Sequence, residues 1–366
     1  MQWGYYRKYS KGDYMKLLII NPGSTSTKIS VYENETSILD DNLNHDIAEL
    51  ADYEKITDQY DFRKQIILNA LKEADIGLEE LDAVVGRGGL VKPLTGGTYH
   101  VNEALLKDLR IGVQGEHASN LGGLIANEIA VQIGKPAFIV DPVVVDELDP
   151  ISRISGHPWI QRRSIFHALN QKAIARQYCK EVNKNYSDVS VIVVHMGGGI
   201  SVGMHHKGKV IDVNNALDGE GPFSPERSGT LPMSDFAALC FDGKTHQEMK
   251  KAIVGKGGMV AYFGTNDVKE LVEKAETDPE VKLVIDAMIY QISKEIAAIS
   301  TAVCGKVDAI LLTGGLAFGS YITQGIIDRV GFITEVRKYP GGHEHLALAQ
   351  GALRVLRGEE ESKTYS

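Results

Sequence analysis

Apolar positions along this chain fall into two periods. Short apolar runs bounded by Gly, Pro, Asn or Asp read as buried strands at Leu17–Ile20, Leu81–Val85, Ala137–Val140, Val189–Val194 and Val307–Leu312. Shorter alternating stretches predict strands at Lys28–Val31, Ile200–Met204 and Lys209–Val213, and Phe332–Val336 reads as another. Glu33–Asp41 supplies a turn and a third strand. Helical spacing marks Phe62–Ala74, where Ile66, Ile67, Ala70 and Leu71 share a face, and recurs at Ala118–Ile133, Ala168–Cys179 and Val268–Ala275. It marks Val281–Val303, Tyr321–Val330 and Glu344–Leu356 as well. Pro150–Arg163 and Gly219–Pro232 read as loops rich in Gly and Pro. Strands alternating with helices predict an α/β fold.

The pattern repeats. Leu17–Tyr32 is an apolar strand, a tight turn dense in small hydroxyls (Ser24, Thr25, Ser26, Thr27) and a second strand. Val189–Met204 has the same order around His195-Met196-Gly197-Gly198-Gly199. A period of roughly 175 residues is domain-sized and predicts two similar domains facing each other. The boundaries expected are a first domain at 15–187, with a closing helix at 345–358, and a second at 188–344. Residues 1–14 lack the apolar core of a signal peptide and are expected to form a disordered leader.

Composition narrows the function. The chain has 366 residues, 43% apolar and 24% charged, with a formal charge of −9, which argues against general binding of nucleic acid. No apolar run reaches the length of a membrane span. Cys179, Cys240 and Cys304 are widely spaced and form no metal pattern, as expected of thiols in the cytoplasm.

The candidate chemistry lies in turns at strand ends. Turns of Gly and Ser expose backbone N–H groups to phosphate oxygens. Asn21–Thr27, His195–Gly199 and Thr313–Leu316 all follow apolar strands, as a nucleotide cleft between duplicated domains requires. The first turn leads into a strand at Lys28, so it is no P-loop, which leads into a helix. Arg87 stands between glycines, and Arg227 lies between Pro225 and Gly229. Such settings present a guanidinium rigidly to carboxylate or phosphate oxygens. His117, His167 and His195 lie near these features without metal spacing; His167 suits either a structural hydrogen bond or stabilisation of transition-state charge. Asp141 and Glu344 suffice for Mg²⁺, which takes one or two carboxylates beside phosphate and water. Asp141 before Pro142 also suits a turn, and Glu344 also suits a helix N-terminus.

The motifs NPGSTSTK (Asn21–Lys28), VVGRGGL (Val84–Leu90), RRSIFHALN (Arg162–Asn170), HMGGGISVG (His195–Gly203), PERSGTLP (Pro225–Pro232), GTND (Gly264–Asp267), LTGGLAFG (Leu312–Gly319) and PGGHEHLALAQGAL (Pro340–Leu353) together resemble the acetate and butyrate kinase family. The likeness runs from about Lys16 to Arg357. It implies two duplicated actin-like (ribonuclease H-like) domains around a central nucleotide cleft, ATP/ADP and Mg²⁺, a cytoplasmic homo-oligomer (dimer or higher), and no nucleic-acid or membrane partner. Within the family, Gly86 before Arg87, Gly88-Gly89 after it and the glycine-only turn resemble the butyrate and branched-chain fatty-acid kinases. By that resemblance Asn21 and Glu344 belong to the Mg²⁺ site, and Ser24, Ser26 and Lys28 to the first phosphate turn. Arg87 and Arg227 match the two active-site arginines, Asp141 the catalytic aspartate, and His167 the histidine at the transferring phosphoryl group. His117 and His195 match further site histidines, with Gly197, Gly198 and Gly199 in the second phosphate turn. Thr313, Gly314, Gly315 and Leu316 match the adenosine motif, and Phe166 an acyl-pocket aromatic. Gly89 replaces a valine at the acyl pocket, which implies room for a longer chain.

The reaction implied is ATP plus a short-chain carboxylate giving ADP and an acyl phosphate. A carboxylate, with a pKa of about 4–5, is already ionised near neutrality and needs no base. Alternatives are an acetate or propionate kinase, a sugar or alcohol kinase of the same superfamily with Asp141 as base, and a non-enzymatic actin- or chaperone-like ATP-binding module.

Overall fold

The computed structural model describes residues 14–51 and 53–366, so the expected leader at 1–14 lies almost wholly outside the described residues. Contacts divide the chain into two compact units. The first comprises the described residues up to Val145 together with His343–Ser366, the second Asp146–Gly342.

The first unit begins with a meander, β1 (Lys16–Pro22), β2 (Ser26–Glu33) and β3 (Thr36–Asn44), followed by α1 (Ile47–Ala51) and α2 (Tyr60–Glu73). Then come β4 (Ala83–Arg87), β5 (Thr98–His100), α3 (Glu103–Ile111), α4 (Asn120–Gln132) and β6 (Ala137–Val140). Their sheet has the order β3-β2-β1-β4-β6-β5, with β1, β4 and β6 parallel neighbours. The buried runs predicted at Leu17–Ile20, Leu81–Val85 and Ala137–Val140 fall on these central strands. Strands covered on both faces carry continuous apolar residues.

The second unit holds α5 (Ala168–Glu181), β7 (Ser190–Met196), β8 (Ile200–His206), β9 (Lys209–Val213), α6 (Met233–Cys240), α7 (His246–Ile253), α8 (Gly258–Phe263), α9 (Val268–Lys274), α10 (Pro279–Ser300), β10 (Ala309–Gly314), α11 (Ser320–Val330) and β11 (Val336–Pro340). The last helix, α12 (Glu344–Leu356), belongs to the first unit. The second sheet runs β11-β10-β7-β8-β9, with β7, β10 and β11 parallel. Read from the meander inward, β9-β8-β7-β10-β11 reproduces β3-β2-β1-β4-β6, and both meanders carry a register shift between their second and third strands, at Val31/Tyr32 and Met204/His205. The duplication seen in the sequence pattern is a duplication of topology.

Two expectations change. The strand placed at Phe332–Val336 is Val336–Pro340 instead, because Phe332 lies in the preceding turn with 81% of its surface exposed. The stretch 146–187, assigned to the first domain, groups with the second unit, and residues 343–344, assigned to the second domain, group with the first. There Ile174, Ala175, Tyr178 and Cys179 of α5 pack with Val191, Val193, Ala309 and Leu311. Glu147 reinforces this, bridging Lys172 Nζ and the Val210 amide at 2.8 Å each. Among the described residues no helix is long and apolar enough to cross a membrane.

Candidate active site

In the first unit three candidate residues stand at the carboxyl ends of adjacent parallel strands, the edge where open α/β sheets bind ligands. Ile20 registers with Gly86, and Arg87 with Val140, so Asn21, Arg87 and Asp141 follow one another across β1, β4 and β6. Asn21 Nδ2 donates to Glu344 Oε2 at 2.9 Å, and Arg87 Nη1 approaches Asn21 Oδ1 at 3.4 Å while forming an ion pair with Glu344. Glu344 opens α12, whose His345 is joined to Ser30 Oγ. Asp141 is 2% exposed and has a left-handed φ of 38°, a conformation that costs a non-glycine residue about 1–3 kcal/mol. Its Oδ1 accepts the Gly97 amide at 2.6 Å and its own amide donates back to Gly97 at 3.0 Å. That reciprocal pair holds the strained turn. His117 lies within electrostatic reach of Arg87, and its Nδ1 pairs with Ser119 Oγ at 2.8 Å.

The first turn is closed by the Gly23 amide donating to Ser26 O at 2.8 Å. Ser24 is exposed, Ser26 half-buried, and Lys28 exposed on β2 opposite Asn21. Beneath the turn lies Arg63, which the sequence reading did not single out. Its side chain is fully buried and is bound to the turn's own oxygens. The signal was present: Arg63, Ile67 and Leu71 are the buried stripe of α2, and an arginine in an apolar stripe needs partners. Also here, His45 Nε2 meets Thr27 Oγ1 at 2.8 Å, and burial, aided by the Arg63 charge, holds the imidazole down at about 4. A histidine depressed in the folded state binds its proton more readily when unfolded, so it favours the fold above about pH 6.5. This contribution is lost as pH falls from there through about 4. Accordingly, a His45→Gln variant should show a flatter decline of thermal midpoint between pH 6.5 and 4.5 than the wild type. Parallel slopes in differential scanning fluorimetry would exclude this.

Gly89 was expected to leave room for an acyl chain. The local packing gives its glycine another reason. A Cβ there would lie 2.3 Å from Asn120 Oδ1 and 2.8 Å from Leu109 Cδ2, and Asn120 Oδ1 accepts the neighbouring Leu90 amide at 2.8 Å. The glycine admits α4 to the strand end. Gly89→Val is therefore expected to destabilise by ~1–3 kcal/mol through overpacking, with an unchanged ratio of butyrate to acetate turnover. Thermal unfolding and a two-substrate assay read the two effects separately.

In the second unit His195 and Thr313 register across the parallel pair β7 and β10, so both glycine turns open at the same sheet edge. Thr313 Oγ1 donates to Gly341 O at 3.0 Å. The Gly198 carbonyl accepts Ser224 Oγ at 2.6 Å and the Glu226 amide at 3.2 Å, which ties the Pro225–Pro232 motif to the glycine turn. Arg227 lies over that turn. Its Nη1 donates to Ala216 O at 2.6 Å, its Nε is buried without a partner among the described residues, and a Cβ on Gly199 would fall 2.0 Å from Nη1. Burial lowers its pKa against the opposing pull of Glu226 and Asp218. A bound anion would relieve that penalty.

His167 and His195 stack with ring centroids 3.9 Å apart and planes within 12°. Asn170 Nδ2 donates to Gly342 O at 2.8 Å, which turns Asn170 Oδ1 toward His195 Nδ1 at 2.7 Å. His195 Nδ1 therefore carries the proton. His167 Nδ1 meets Ser201 Oγ at 2.9 Å, and Gln171 Nε2 donates to that hydroxyl at 2.8 Å. Asn170, Gln171 and Ser201 carry no role in the sequence pattern, although Asn170 closes the Arg162–Asn170 motif and Ser201 lies in the His195–Gly203 motif. Phe166 is 2% exposed at the head of α5. A cavity of ≈ 460 Å³ lies beside the third turn, lined among others by Val268, Val272, Leu316, Phe318 and Tyr321.

For a metal, the first unit offers hard oxygen donors, Asn21 Oδ1 and Glu344 Oε2, in one hydrogen-bonded group. Among the described residues no cluster of three or more His, Cys, Asp or Glu could cage an ion. That donor set fits Mg²⁺, which keeps waters and takes phosphate oxygens, and does not fit a structural metal.

Residues 153–333 match the model of the acetokinase family. The chain is 59% identical to butyrate kinase 1 of Clostridium acetobutylicum and 57% identical to butyrate kinase 2 of that organism, each over 96% of this chain and 99% of the relative. Among solved structures it resembles an acetate kinase from Porphyromonas gingivalis, with a TM-score of 0.75 at 19% identity over 93% of this chain and 99% of the other. At that identity the likeness concerns the fold.

Proposed function

We infer the reaction from one premise: this chain belongs to the acetokinase family. It is a phosphotransferase with a carboxylate as acceptor, and we propose that butyrate or a branched short-chain homologue is that carboxylate. The observation that carries this reading is the near-full-length identity with two proteins named butyrate kinases. In the proposed reaction the carboxylate is ionised before it binds, so its attack on the γ-phosphoryl group of ATP needs no base. The difficulty is electrostatic, since one anion must approach another. Charge in a loose phosphoryl-transfer transition state spreads over the equatorial oxygens, which Arg87, Arg227 and His167 are proposed to meet with positive charge and hydrogen bonds.

The rest of the assignment follows the sites described. Asn21 and Glu344 would hold Mg²⁺, which when bound neutralises charge on the phosphate oxygens. Asp141 is read as a rigid acceptor near that group and not as a base, which its strained, amide-bound setting supports. Ser24, Ser26 and Lys28 take phosphate at the first turn, and His195 and Gly197–Gly199 take it at the second. Thr313–Leu316 and the apolar cavity beside it suit a nucleoside. Phe166 and His117 are assigned to the carboxylate. A cytoplasmic homo-oligomer remains part of the proposal, and the three unpaired cysteines agree with a reducing compartment.

The test is a hydroxamate assay for acyl phosphate with acetate, propionate, butyrate, isobutyrate and valerate. Highest kcat/KM at four carbons supports the reading. A preference for acetate would make the chain an acetate kinase, and ATP hydrolysis without acyl phosphate would remove the carboxylate as acceptor.

A further inference from the structure

We propose that Arg63 is a positioning residue for phosphoryl ligands at the Gly23–Thr27 turn. Its buried guanidinium holds the turn's carbonyls inward and leaves beneath the turn a positive charge for a phosphoryl group to offset. This rests on the reading of that turn as a phosphate site.

Arg63 is 0% exposed. Nη1 donates to Gly23 O at 2.9 Å, Ser26 O at 3.0 Å and Thr27 Oγ1 at 3.0 Å. Nη2 donates to Ser24 O at 3.2 Å and to Gln59 Oε1 at 2.9 Å, and Nε donates to the same Gln59 oxygen at 3.0 Å. All its donors are satisfied, and every acceptor is a neutral oxygen. A buried cation normally has a carboxylate partner, because its desolvation is costly. Burial lowers this guanidinium to about 10, so it keeps its proton near neutrality. The neutralising charge has to come from elsewhere.

The geometry of the turn indicates the source. In a planar trans peptide the carbonyl of one residue and the amide of the next point in opposite directions. Drawing the Gly23 and Ser24 carbonyls toward Arg63 therefore turns the Ser24 and Thr25 amides away from it. Those amides donate to no protein group among the described residues. Outward amides above a buried cation form a concave anion site. Arg63 organises that site without touching the ligand.

The experiment measures equilibrium binding of ATP, ADP and butyryl phosphate to the full-length protein and to Arg63→Lys and Arg63→Gln. Arg63→Lys, which keeps the charge and loses the fork, should weaken a phosphoryl ligand about tenfold, and Arg63→Gln more. KM for butyrate should stay within about twofold, a split that simple loss of folded protein does not produce. Weakening of ATP and butyryl phosphate but not ADP assigns the transferring phosphoryl group, and equal weakening of ATP and ADP assigns the nucleotide's β-phosphate. Folded variants that bind all three ligands like the wild type overturn the proposal. If neither variant folds, Gln59→Leu decides, since it leaves Arg63 in place but removes the acceptor shared by Nε and Nη2: unchanged binding overturns the proposal, weaker binding upholds it. Lys28→Ala and Ser26→Ala keep the two levels apart. If these lose affinity and the Arg63 variants do not, only the role of Arg63 is lost; if all are unchanged, the turn is not a phosphate site.

Discussion

Arg227→Ala should lower turnover by ~10² or more, the scale set by removing one preorganised charge from a developing oxyanion. The reason lies in how the side chain is held. Nη1 is anchored to Ala216 O, Nε is buried without a partner among the described residues, and the fork covers a turn with no side chains of its own. Lysine at this position cannot reproduce a planar fork and should recover only part of the loss. Gly199→Ala offers a second route to the same defect, because the added methyl would occupy the space of Nη1, 2.0 Å away. If the two changes act through one guanidinium, the double variant is no slower than Arg227→Ala alone. Hydroxamate assays at saturating ATP and butyrate read all four variants. Near-wild-type turnover in Arg227→Ala removes the residue from the mechanism.

Arg87→Ala should cost turnover a similar factor of ~10² or more, by a different route. Here the guanidinium is already engaged with Glu344 and Asn21. Removing it takes away a positive charge and leaves the Glu344 carboxylate without its cation where anions are proposed to bind. Both KM for butyrate and kcat should therefore suffer. Arg87→Ala combined with Glu344→Gln should recover affinity for butyrate but not turnover, since the repulsion is gone while the guanidinium and the carboxylate proposed for Mg²⁺ are both missing. If the double variant regained full rate, Arg87 would only be shielding the carboxylate, and Glu344 would not be needed for Mg²⁺.

The elements legible in the sequence were those whose physics is local. The central strands are unbroken apolar runs because both faces are covered, and the topological repeat showed as a repeat of those runs. What escaped depends on distant partners. The edge strand β11, Val336–Pro340, has no buried residue and carries no apolar run, while the exposed Phe332 drew the reading four residues too early. Helices α6 to α8 bury only Met249, Gly258 and Met259 between them, so no stripe announced them. Among the candidate residues, Arg87 and Asp141 stood out at strand ends beside Gly or Pro, and Arg227 stood out in a loop rich in Gly and Pro. Arg63 and Asn170 sit within helices, and what they do depends on oxygens far along the chain. Gly89 stood out for its missing side chain, and the Cβ that it lacks would meet Asn120 of α4 and Leu109 of α3.

The row Asn21, Arg87 and Asp141 is spaced by main-chain hydrogen bonds between strands, about 4.8 Å per step, and not by side-chain packing. Such a ruler does not soften gradually. On warming, this row should keep its dimensions until the sheet itself gives way, so if it serves catalysis as proposed, heat inactivation and loss of far-ultraviolet ellipticity should share one midpoint. An enzyme arranged in this way ages in use as an intact or a lost molecule, with little in between.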